Sequence, residues 1–245
     1  MERTEERRQE IAAKLNELRA AVVDAEERAG REPGSVDILP VTKFHPVSDV
    51  AVLAGLGIEV VGENREQEAR AKAEELAGAG VDIRFAMIGQ VQSKKANAVA
   101  RWASEVHSVD SVKLAGGLDR GMALALERGD RTSSTLPCLI QLSFDDDASR
   151  GGVPYGNAEL VAEVVAAVDD AEHLFFDGFM VVPPRESDPG EVFAASKSIC
   201  DSYADKFARN LRLSAGMSGD FEEAIAHGST VVRVGTGLLG PRPVG

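Results

Sequence analysis

Residues 36–64 read VDILPVTKFHPVSDVAVLAGLGIEVVGEN. This stretch holds a β-rich run, Val36–Lys43, a helical pattern over about Ser48–Leu56, and a second β-rich run, Ile58–Gly62. Two short apolar runs separated by a helix form a crossover unit, and its strands lie parallel because the helix carries the chain back to its starting edge. The alternation continues through the chain, with β-rich runs at Arg84–Ile88, Glu105–Val109, Pro137–Leu142, Leu174–Val181, Leu211–Ser214 and Val231–Val234. Helical patterns separate them at about Arg65–Ala79, Gln92–Trp102, Ser111–Arg128, Asn157–Val168, Glu191–Arg209 and Phe221–His227. Eight strands with crossover helices in this length suit an α/β fold, a closed parallel (β/α)8 TIM barrel over residues 36–240; a doubly wound open sheet shows the same local alternation.

Ahead of the barrel, Ile11, Leu15, Leu18, Val22 and Ala25 recur at three- and four-residue steps between Glu5 and Gly30. They predict an extra N-terminal helix within residues 1–30 that covers the bottom or the side of the barrel. No linker divides the chain, so residues 1–245 read as a single domain. The stretch Pro183–Gly190 and the acidic run Asp145–Asp147 read as loops that follow strands.

The chain has 245 residues, with 27 Lys+Arg against 40 Asp+Glu and a net charge of −13, which repels nucleic acid and anionic membranes. At 44% hydrophobic and 27% charged, the composition is that of a folded globular protein. The first ten residues are too charged for a secretory signal, and no apolar run approaches the roughly 18 residues that cross a bilayer. A cytoplasmic protein is expected. Cys138 and Cys200 have neither zinc-site nor disulfide-framework spacing and read as buried reduced thiols, while His45, His173 and His227 lack metal-ligand spacing. No metal is expected. A complete barrel permits a monomer, and pairing of outer helices a weak homodimer.

In a barrel, reactive groups sit at the C-terminal strand ends, and phosphate often binds after strands seven and eight. The first β-rich run ends at Lys43. A lysine at a low-dielectric mouth has its charged form disfavoured and can attack an aldehyde; a solvated strand-end lysine is the ordinary alternative. Leu213-Ser214-Ala215-Gly216-Met217-Ser218-Gly219-Asp220 and Val232-Arg233-Val234-Gly235-Thr236-Gly237 offer glycines, hydroxyls and N–H groups suited to a phosphate, although tight turns favour the same residues. Arg233 lies among valines, where an inward charge needs a partner. A heteroaromatic ring nitrogen and a carboxylate such as Glu63 both qualify. Asn64 either caps the next helix or donates to a ligand. His107 suits a core or supporting role, and Lys94 and Lys95 a solvated helical face.

Together these residues resemble the pyridoxal phosphate homeostasis protein family, small proteins related to the alanine racemase N-terminal barrel domain. The resemblance runs from about Leu39 to Gly240. It rests on Thr42-Lys43, Gly62-Glu63-Asn64, Ile88-Gly89-x-Val91-Gln92, His107-Ser108-Val109-Asp110, Gly178-Phe179-Met180, Leu213-Ser214-x-Gly216-Met217-Ser218-x-Asp220 and Gly228-Ser229-Thr230-x-Val232-Arg233-Val234-Gly235. Ala86, Met87, Lys94 and Ala215 depart from the usual family pattern. The resemblance implies that Lys43 holds pyridoxal 5′-phosphate (PLP) as an internal aldimine. It further implies phosphate contacts from Ser218, Gly235 and Thr236, Arg233 at the pyridine nitrogen, Asn64 near the ring, and Ser214 within the same cofactor-binding set.

A guanidinium at the ring nitrogen leaves that nitrogen unprotonated and weakens the cofactor as an electron sink. Racemisation also needs an acid/base group on each face of the substrate carbon. Alanine racemases take the second from a tyrosine on another domain. Of the two tyrosines here, Tyr203 sits in a helical pattern and Tyr155 in a loop. The expected function is therefore a non-catalytic carrier that buffers or delivers PLP, with PLP-dependent apo-enzymes as partners. A slow amino-acid racemase is the alternative; a Schiff-base aldolase and a pure interaction protein are further rivals.

Overall fold

The computed structural model describes residues 2–145 and 151–241. Eight parallel strands form the inner wall: β1 (Asp37–Pro40), β2 (Val60–Glu63), β3 (Arg84–Met87), β4 (Glu105–Val109), β5 (Leu136–Ser143), β7 (Leu174–Val181), β8 (Arg212–Ser214) and β9 (Val231–Val234). A two-residue strand, β6 (Val153–Pro154), pairs with β5 off this ring. The sheet runs β1, β9, β8, β7, β5, β4, β3, β2, and a parallel bridge between Val41 and Gly62 returns β2 to β1. That bridge decides for the barrel over the open sheet. The first and last major strands pair through Asp37–Val231 to Pro40–Val234, so both ends of the chain meet in one wall.

The outer layer comprises α1 (Glu2–Arg28), α2 (Val47–Gly55), α3 (Glu66–Gly78), α4 (Ala96–Trp102), α5 (Val112–Glu127), α6 (Ala158–Asp169), α7 (Pro189–Phe207), α8 (Phe221–Ala226) and α9 (Thr236–Leu239). α1 buries Ile11, Leu15, Leu18, Val22 and Ala25, the stripe read from the sequence, and packs against α2, α8 and α9. It therefore covers the side of the barrel, behind β1 and β9. Glu26, fully buried, accepts hydrogen bonds from the Val36 N–H at 2.7 Å and the Gly34 N–H at 2.9 Å, which fixes how the chain leaves α1 and enters β1.

Several boundaries differ from the sequence expectation. The first strand stops at Pro40, and the chain turns after the Val41 bridge, so Lys43 lies in a turn rather than in a strand. The Pro183–Gly190 loop ends at Asp188, whose side chain accepts from the Gly190 N–H at 2.9 Å and starts α7 with proline in the first turn. Asp145 follows β5 in a loop, while Asp146 and Asp147 lie outside the described residues, as do Met1 and residues 242–245.

A register shift separates Cys138 from Leu139 along the β5–β7 pair. Opposite it, Gly178 has φ 138°, and a Cβ there would fall 1.9 Å from the Arg212 carbonyl oxygen. Only glycine fits. Cys138 and Cys200 are free and buried; burial pushes both thiols up, Cys200 to about 12. Such thiols are poor nucleophiles.

Candidate functional site

Four adjacent strand ends carry the candidate residues: Asn64 after β2, Lys43 after β1, Gly235 and Thr236 after β9, and Ser218 after β8. Pairing of Val41 with Gly62 puts Thr42 beside Glu63 and carries Lys43 to the level of Asn64. Across the other edge, the Val41 N–H donates to the Val234 carbonyl at 2.9 Å, and a Cβ on Gly235 would lie 3.4 Å from Val41 Cβ. The Gly237 N–H donates to Ser218 Oγ at 3.2 Å, drawing the turn after β8 onto the start of α9. Sequence positions nearly two hundred residues apart thus share one rim.

Lys43 is half-buried, and among the described residues its ammonium has neither a hydrogen-bond nor an ion-pair partner. Lys72, by contrast, is fully engaged. Its Nζ donates to the Thr42 carbonyl at 2.8 Å, Glu63 Oε1 at 2.7 Å and Glu68 Oε1 at 2.8 Å. Thr42 Oγ1 also donates to Glu63 Oε1 at 2.7 Å, and the Phe44 N–H to Glu68 Oε1 at 2.6 Å. Burial pushes the Glu63 carboxyl above its ordinary value despite Lys72 and Thr42. At Glu68 burial works in the same direction, but hydrogen bonds from Lys72 and the Phe44 N–H outweigh it and lower the pKa.

Arg233 is buried within the barrel. Its Nη1 donates to Ser214 Oγ at 2.7 Å and its Nη2 to the Val181 carbonyl at 2.8 Å. Among the described residues, no carboxylate lies within 4.0 Å of it; Glu63, the candidate ion-pair partner from sequence, is taken by Lys72. Burial pulls its pKa down to about 10, which leaves the guanidinium charged at neutral pH. A buried cation without a counter-anion is costly, and an electron-rich ligand atom would offset that cost.

Beneath Arg233 a polar column descends through the barrel. Ser214 Oγ, fully buried, lies 3.2 Å from His107 Nδ1, and His107 Nε2 faces Glu105 Oε1 at 3.4 Å. Glu105 pairs with Arg212 at 2.5 Å, and Arg212 with Asp177 at 3.0 Å. Burial holds the His107 imidazole below its ordinary pKa, which favours the neutral ring. Burial opposes ionisation of Glu105, but His107 and the Arg212 guanidinium overcome it and hold the carboxyl at about 2. Ser214 thus supports Arg233 from below, and His107 has the supporting role read from the sequence.

Asn64 borders a recess of about 400 Å³ at the mouth, together with Gln90, Gln141, Met180 and Met217. Its amide makes no hydrogen bond within the described residues, and α3 is capped by Arg65 without a side-chain bond, so the helix-capping alternative for Asn64 is not realised. Gly89 packs so tightly on this turn that a Cβ would fall 2.2 Å from the Asn64 carbonyl oxygen. Lys43 and Arg233 do not line the recess. Tyr155 stacks on Phe144 at 3.9 Å beyond the end of β5, the strand opposite β1 in the ring. Tyr203 belongs to an aromatic cluster with Phe176, Phe179 and Phe207.

A family model described as alanine racemase, N-terminal domain, matches residues 13–243. A pyridoxal phosphate homeostasis protein of Corynebacterium glutamicum is 56% identical over 214 residues, covering 87% of this chain and 94% of that one. One from Mycobacterium tuberculosis is 43% identical over 248 residues, covering 97% and 95%. The chain belongs to the pyridoxal phosphate homeostasis protein family. Its fold is similar to PipY of Synechococcus elongatus, solved with PLP bound, at TM-score 0.77 and 31% identity over 94% of this chain and 100% of that one. In this member of the pyridoxal phosphate homeostasis protein family, the candidate rim residues stood out in the sequence through glycines and a lysine that follows an apolar run. The sequence did not reveal the network around Lys72, whose only local trace is the four-residue spacing from Glu68.

Proposed function

We propose that this chain binds PLP at the rim formed by β8, β9, β1 and β2, and holds it for delivery to PLP-dependent apo-enzymes rather than for catalysis. The observation that carries this reading is Arg233, a buried guanidinium without a carboxylate partner among the described residues, two residues before the Gly235–Thr236 turn. The relatives named for PLP homeostasis and the PLP-bound PipY structure support the choice of cofactor. PLP supplies an aldehyde that condenses with an amine, with loss of water, and the link can pass to another amine.

Lys43 provides that amine, free of the bonds that immobilise Lys72. Ser218, Gly235 and Thr236 hold the phosphate through hydroxyl and N–H donors. Arg233 donates to the ring nitrogen and, held by Ser214, keeps that nitrogen an acceptor; Asn64 donates to the ring side. The place of Tyr155 beyond β5, opposite β1 in the strand order, and its stacking on Phe144 favour a carrier over a racemase, which needs a second proton-transfer group facing the amine.

The test is borohydride reduction of PLP-loaded protein followed by peptide mapping, together with transfer of PLP to an apo-transaminase. A pyridoxyl group on Lys43, its loss in Lys43→Ala, and reactivation of the apo-enzyme faster than by hydrolytic release are expected. Modification of another lysine would overturn the site. Deuterium exchange at the α-carbon of alanine that depends on Lys43 would overturn the carrier reading.

A further inference from the structure

The turn that presents Lys43 is held on both sides of it. Glu63 accepts from the Thr42 hydroxyl, Lys72 donates to the Thr42 carbonyl, and Glu68 accepts from the Phe44 N–H. Phe44, at the second of these anchors, has φ 67°, a left-handed conformation that residues other than glycine adopt only against a steric penalty. Such a backbone persists when its surroundings over-determine it. The anchors are themselves joined, because Lys72 bridges Glu63 and Glu68 at 2.7 and 2.8 Å, and Glu63 is fully buried at the end of β2. The geometry ties the turn to the sheet through Glu63 and to α3 through Glu68 and Lys72.

We propose that Glu63, Lys72 and Glu68 act as a clamp of positioning residues that fixes the Thr42–Phe44 turn and thereby sets the place of the Lys43 amine. The inference rests on Lys43 being the amine that binds PLP. Lys72 does not take that role itself, since its nitrogen already donates to three oxygens and has no lone pair to offer while charged. The clamp orders the turn before the ligand arrives, so less ordering is left for the binding step.

Glu68 is the informative position, because its side chain is 23% exposed and removing it leaves Lys72 still bonded to Glu63 and Thr42. Glu68→Ala removes the acceptor for the Phe44 N–H, whereas Glu68→Gln keeps a carbonyl oxygen for it. Loss of a hydrogen bond to a charged group predicts that E68A binds PLP roughly tenfold more weakly in absorbance titrations, while E68Q recovers most of that loss. In the protein without PLP, hydrogen exchange at the Phe44 amide should accelerate in E68A and stay slow in the wild type and E68Q. Borohydride mapping of the wild type tests the Lys43 reading separately. If the wild type is labelled at Lys43 but E68A binds PLP as tightly as it does, or E68A and E68Q are equally impaired, the clamp is wrong; if Lys43 is not labelled, both ideas fall.

Discussion

Arg233 concentrates the cost and the use of this fold in one side chain. Its guanidinium is stabilised by one hydroxyl and one carbonyl, and the hydroxyl belongs to Ser214, which also contacts His107. Ser214→Ala leaves a charged donor short of an acceptor, and a loss of roughly 1–3 kcal/mol is expected in denaturant unfolding. Affinity for PLP should fall in the same variant. Glu105 gives a pH-dependent counterpart. Its carboxyl ionises at about 2 in the fold against an ordinary 4.5, so its stabilising contribution is present above pH 4.5 and disappears as pH falls from there toward 2. The difference in unfolding free energy between wild type and Glu105→Gln should therefore shrink over that window by roughly 1–3 kcal/mol, measured by denaturant titration at each pH. A constant difference would show that the carboxylate charge is not what Arg212 and His107 stabilise.

Among the elements, α1 and α7 show what periodicity and capping can reveal. The apolar stripe of α1 is evident in sequence, and each residue named in it is buried. Leu15→Ala should cost about 2–5 kcal/mol, because Leu15 is fully buried on the packed face of α1 and its removal would leave a cavity there. Asp188→Ala should cost about 1 kcal/mol through loss of the α7 cap, read in the same assay. Strand existence and order were legible because buried parallel strands are short apolar runs between helices. Strand ends were less so: Lys43 follows apolar residues as though it closed a strand, yet the Val41 bridge and the Phe44 backbone put it in a turn. The α9 turn and β6 were missed, since four and two residues carry no periodicity. The bonds of Lys72 and Arg233 were also hidden, because each joins elements through side-chain reach rather than sequence spacing.

For the molecule as a whole, PLP should bind the native fold and stabilise it. At a free concentration one hundred times the dissociation constant, the expected gain is about 2.7 kcal/mol, seen as a rise in melting temperature that depends on PLP concentration. Lys43→Ala should abolish most of that rise without lowering the melting temperature of the unliganded protein, since Lys43 has no partner among the described residues. A lower melting temperature in that variant would mean that the lysine supports the fold directly.

The pairing of β1 with β9 also has a consequence for biosynthesis. Lys43 precedes Arg233 by 190 residues, so under the proposed site the amine is synthesised well before the arginine and the turns that would hold the phosphate. On that reading, capture of the vitamin would wait until β9 has been made and has closed against β1. A product cut short before Arg233 should be unable to sequester the cofactor from the cell's pool.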